Sequence, residues 1–133
     1  MKFLCLGYLN EKVFDALPQA TKDAVMSECP AHCDNLSATG KLLAEAGLHN
    51  AHAAKSIRPK NGKPTVTDGP FIDTKEQLGS FFIVEATDID EAVRIASNHP
   101  AALLGEEYGF GIEVRPIQQE DIFVKKQPSK ANA

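Results

Sequence analysis

The chain has no apolar run long enough to span a bilayer, and its start, MKFLCLGYLNEKVF, has too short an apolar core and no small-residue cleavage pattern for export. The expected location is therefore the cytoplasm, with no membrane partner. Positive charge is also short: 14 Lys and Arg stand against 18 Asp and Glu, a formal net charge of -4, and the lysines are scattered rather than striped. That excludes the electrostatic footprint of a nucleic-acid binder. Cysteine is scarce and odd in number, Cys5, Cys29 and Cys33, so reduced thiols are expected rather than a disulfide framework. Glycine builds no phosphate-cradling motif, for the GFG at 109–111 stands alone.

What is there fits one domain. A chain of 133 residues is near the commonest domain size and can bury a single core. The domain is expected over residues 1–124, and the tail 125–133, KKQPSKANA, has too few apolar groups to offset ordering entropy and is expected to be flexible. Phe3–Tyr8 reads as a first strand, apolar on both faces. From Gln19 to Gly47 the periodicity is helical, with Val25, Cys29, His32, Leu36, Leu43 and Gly47 on one stripe. Pro30 predicts a kink near Cys29 or a fresh helix start, and Gly47 is expected to end the helix. Ala51–Arg58 and Lys63–Thr67 flank Asn61-Gly62, a hairpin dipeptide. Gly79–Ala86 is a second two-faced apolar strand. Asp88 and Glu91 stand at capping-box spacing before a helix that must stop before Pro100, and GIEVRPI alternates as a last strand.

The order is read as β, α, β, β, α, β with an extra turn around Asp73–Gln77. This is the α+β, ferredoxin-like pattern of an antiparallel sheet with two helices on one face. Strands apolar on both faces need a second cover, and a second copy of the same sheet is the expected one, making a homodimer.

Chemistry concentrates at few positions. In Asp68-Gly69-Pro70-Phe71, Asp68 can fix a histidine or a substrate hydroxyl at a strand end while Phe71 walls a cavity; equally, the four residues can be only a stiff turn with Phe71 in the core. His32 lies on the apolar stripe and is either a proton-transfer group or a neutral core histidine bonded to a carbonyl. His99 can bond carbonyls of a last helical turn. Lys75 and Arg115 can anchor an anionic ligand or remain solvated charges. Cys29, His32, Cys33, His49 and His52 do not enforce a converging metal set, and Asp34 disfavours a Cys33 thiolate. Neither metal nor other cofactor is expected.

The run VTDGPFIDTKEQLGSFFIVEA, followed by a short helix and GIEVRP, resembles the DGPF-motif proteins of the YCII-related group, over Met1 to Ile117. The resemblance implies a dimeric α/β barrel, two ferredoxin-like sheets face to face. PAHCDNLSATGKLLAEAG is similar to the His-bearing helix of the YCII branch, whose His works with an Asp preceding a proline at the end of the second helix. Here that partner position is His99, before Pro100. The candidate catalytic set is thus His32, Asp68 and His99, with Phe71, Lys75 and Arg115 as substrate-binding candidates. The expected function is a cofactor-free enzyme carrying out His-assisted proton transfer or elimination on a small organic molecule. The alternative is a non-catalytic ligand-binding or regulatory module, since similar domains occur with extracytoplasmic-function sigma factors.

Overall fold

The computed structural model describes residues 1–118, and the expected flexible tail lies outside them. In chain order the elements are β1 (Lys2–Leu9), α1 (Glu11–Asp15), α2 (Gln19–Ala38), β2 (Leu42–Gly47), β3 (Lys55–Lys60), β4 (Lys63–Asp68), β5 (Gln77–Glu85), α3 (Ile89–Ala96), α4 (Pro100–Leu103) and β6 (Gly111–Pro116). Short 3-10 turns occupy Ala51–Ala53 and Glu106–Tyr108. A four-stranded antiparallel sheet runs in the order β2-β5-β1-β6, and β3 with β4 forms a separate two-stranded hairpin. The fold is ferredoxin-like, built from β1, α2, β2, β5, α3 and β6.

Two boundaries correct the sequence expectation. The long helix ends at Ala38, not Gly47: Thr39 caps it, and Gly40 follows at φ 71, the left-handed torsion that turns a chain out of a helix at little cost to glycine. Leu42–Gly47 then becomes the edge strand of the main sheet, and the hairpin around Asn61-Gly62, expected within that sheet, stands outside it. No fresh helix begins at Pro30, because α2 runs through it. The second helix also stops early, at Ala96, and His99 becomes the N-cap of α4 rather than part of a last turn.

Alternation along the strands decides what each face buries. Phe3 and Cys5 of β1 and Phe82 and Val84 of β5 point to one side, where Leu36 of α2 and Ala92, Ile95 and Ala96 of α3 complete the core. Burial pushes the Cys5 thiol up to about 11, so it serves as a small apolar group. Leu4, Leu6, Phe81 and Ile83 lie on the other side in the pairs Leu4↔Ile83 and Leu6↔Phe81, outside that core. Among the described residues no helix is long and apolar enough to cross a membrane.

Candidate functional site

The helix-bearing face of the sheet opens at one end into a cleft of about 470 Å³. Met26, Cys29 and Cys33 line it from one face of α2, three and four residues apart as helical geometry requires. Gly7, Glu45 and Ser80 line it from the sheet, His99 and Pro100 from the start of α4, and Phe110 from the loop before β6. Gly7 pairs with Ser80, and a methyl group on Gly7 would come within 2.3 Å of the Ser80 Oγ. The missing side chain leaves the hydroxyl room beside the cleft.

His99 is the most constrained titratable group there. Its ring lies flat on Phe82, with centroids 4.7 Å apart and planes 6° from parallel. The Ala101 backbone N–H donates to His99 Nδ1 at 3.0 Å. A backbone amide can only donate, so Nδ1 carries no proton and the neutral ring is protonated at Nε2. Burial lowers the pKa and favours this neutral form. The arrangement therefore offers an Nε2–H donor without a positive charge.

The thiols that line the cleft from α2 are protonated as well. Burial, then the Glu28 carboxylate, raises the Cys29 pKa, while burial, then Glu45, Cys29 and Asp34, raises that of Cys33. Neither is an activated nucleophile. Among the described residues no three of His, Cys, Asp and Glu converge to hold a metal ion.

The six candidates from sequence are not gathered in one cavity. His99 alone lines the cleft. His32 is half-buried on α2, between the cleft-lining Cys29 and Cys33 in sequence, and its Nδ1 is buried without a hydrogen-bond partner among the described residues. Asp68 ends β4 on the hairpin, 85% exposed, and accepts from Lys55 Nζ at 2.6 Å. Phe71 is 55% exposed instead of plugging the core, and the Arg58 guanidinium sits 3.8 Å above its ring. It borders a second cavity, with Leu48, Pro70, Ile72 and Leu78, and Lys75 borders a third. Arg115 lies on the outer sheet face, paired with Glu113.

The DGPF turn is held by its own hydrogen bonds. The Gly69 N–H donates to the Ala54 carbonyl at 2.7 Å, and Ser56 Oγ donates to the Gly69 carbonyl at 2.8 Å. These tie the end of β4 to the start of β3.

Glu45, Ser80 and Phe110 are among the cleft residues that the sequence does not single out. The helical periodicity over Gln19–Gly47 puts Glu45 inside a helix, and the signal against it is Gly40. Ser80 and Phe110 carry no sequence signal for a site.

Over its fold the chain resembles a solved structure, 5-chloro-2-hydroxyhydroquinone dehydrochlorinase (TftG) from Burkholderia phenoliruptrix AC1100, in complex with 2,5-dihydroxybenzoquinone. That likeness has 19% identity and a TM-score of 0.46, covering 89% of this chain and 94% of that one. In sequence the chain is 34% identical over 96 residues to the uncharacterized protein R00369 of Rhizobium meliloti (strain 1021), spanning 72% of this chain and 77% of that protein. The YCII-related domain matches residues 1–118, all of the described structure. By that match the chain belongs to the YCII-related family.

Proposed function

We propose that this protein is a cofactor-free cytoplasmic enzyme that binds a small organic molecule in the α2–sheet cleft and transfers a proton on it. The observation that carries the reading is His99, a neutral Nε2–H donor with a fixed tautomer on the wall of a mostly apolar cavity. Such a donor supports negative charge developing on a substrate oxygen without presenting a full cation to the ground state. Proton transfer also needs an acceptor, and Glu45 lines the same cleft. His32 is the supporting group: its unpartnered Nδ1 is a buried polar atom that a ligand or an ordered water would satisfy. Asp68 has no part in a cleft built by one chain.

The test is deuterium exchange by NMR on a panel of compact carbonyl and phenolic compounds in D2O. The protein should speed exchange on a panel member, and His99→Asn, which keeps a capping oxygen, should lower that rate by about 100-fold or more. No acceleration across the panel, or equal rates in wild type and variant, would overturn the catalytic reading.

The same reading includes a homodimer through the outer sheet face. Leu4, Leu6, Phe81 and Ile83 form its apolar centre, and the pairs Lys2–Glu85 and Arg115–Glu113 stand beside it. A face carrying both signs around an apolar patch is self-complementary under two-fold rotation. Light scattering should give twice the 14.4 kDa chain mass for wild type and the single mass for Leu6→Glu. A wild-type monomer at micromolar concentration would sink this part.

A further inference from the structure

We propose that the cleft selects a ligand that is uncharged or positively charged at its polar end, and that Glu45 sets the preference. This rests on the reading of the cleft as a ligand site and adds the class of molecule it takes.

Glu45 reaches the cleft because of an irregularity in strand pairing. Leu42 pairs with Val84, but beyond Leu43 the register slips by one residue, so Ala44 pairs with Ile83 and Glu45 with Phe82. Unshifted, Glu45 would face Phe81 on the outer side of the sheet. The slip turns it to the side of Phe82, where the helices pack. Bulges often re-aim a side chain in this way beside functional sites. Glu45 accordingly lines the cleft together with Cys33, whose pKa its carboxylate helps burial to raise.

The charge inventory of the cleft then decides the ligand. Among the described residues no Lys or Arg lines the cleft. His99 is held neutral, and Cys29 and Cys33 remain protonated. Among the described residues, Glu45 is therefore the one formal charge in the lining. An anionic ligand would meet a like charge with no counter-charge among the described lining residues. A hydroxyl, carbonyl or ammonium would find the His99 Nε2–H, the Ser80 hydroxyl or the Glu45 carboxylate instead. The anion anchors expected from sequence, Lys75 and Arg115, both lie away from this cavity.

Three ring probes of matched size separate the possibilities: benzyl alcohol, benzylammonium and benzoate, titrated into the full chain while backbone NMR signals of the cleft residues are followed. Benzoate should bind at least about tenfold more weakly than benzylammonium, and Glu45→Gln, a change at an exposed position, should remove most of that gap. Equal affinities in wild type, tightest binding by benzoate, or a gap unchanged in Glu45→Gln would overturn the charge assignment and leave the cleft standing as a ligand site. If none of the three shifts cleft signals at up to about 10 mM, the cleft reading itself fails and the charge assignment falls with it.

Discussion

Replacing Phe82 with alanine should cost about 3–5 kcal/mol of folding free energy and also dismantle the wall that carries His99. Phe82 is fully buried on β5, a central strand paired on one side with β2 and on the other with β1. Removing its ring empties core volume between the sheet and both helices, and it removes the flat surface on which the His99 imidazole lies. Phe3→Ala is the matching control. Phe3 is equally buried but pairs with Val84 and Pro116, nearer the other end of the sheet, and does not line the cleft. Both alanine variants should lose similar stability in denaturant titrations at one fixed protein concentration. Only the Phe82 variant should also lose affinity for a cleft probe. Since a small domain has only about 5–15 kcal/mol in hand, Phe82→Leu is the safer second variant, keeping bulk while losing the stack. Unchanged probe affinity in a folded Phe82→Leu protein would separate the core from the site.

Much of the fold is legible because several segments carry one signal each. Asp88 accepts from the Glu91 N–H at 2.8 Å, as the capping-box spacing requires, and α3 follows. Asn61 at φ 53 and Gly62 at φ 76 make the turn their dipeptide predicts. The edge strand β2 is not legible in the same way. Leu36, Leu43 and Gly47 continue a helical phase, so periodicity runs across a boundary that only Gly40 marks. Once the helix is drawn too long, Glu45 falls on a helix and the hairpin is drawn into the sheet to replace the missing strand. The site suffers more, because its membership depends on pairing. The face on which Glu45 emerges follows from a register slip against β5, and no local pattern encodes that slip. Asp68 shows the opposite case. Its motif is conspicuous, but the strand it ends belongs to a hairpin apart from the main sheet. His99 could be located from its place before Pro100, yet its role as an N-cap depends on where the preceding helix stops.

Gly105→Ala should destabilise the protein by about 2–4 kcal/mol, well beyond the usual cost of replacing a glycine, because two penalties coincide. Gly105 has φ 75, and its carbonyl accepts from the Tyr108 N–H at 2.9 Å and the Phe110 N–H at 3.1 Å. That loop conformation brings the Phe110 ring back over the glycine, so that an added Cβ would lie 2.3 Å from Phe110 Cδ2. The ring has little freedom to withdraw, for it packs against Phe14 and Tyr108 with centroids 5.9 Å away in each case. Gly40→Ala isolates the backbone part. Gly40 has φ 71, but nothing lies within 4 Å of its added methyl, so only the left-handed torsion, about 1 kcal/mol, is charged. The excess of the first variant over the second is the steric part, and it should largely vanish when both Gly105 and Phe110 are alanine. Because Phe110 also lines the cleft, Gly105→Ala should weaken a bound probe while Gly40→Ala leaves it alone. Equal stability losses at the two glycines would show that the ring yields easily, and this wall of the cleft would then be pliable rather than set by its aromatic packing.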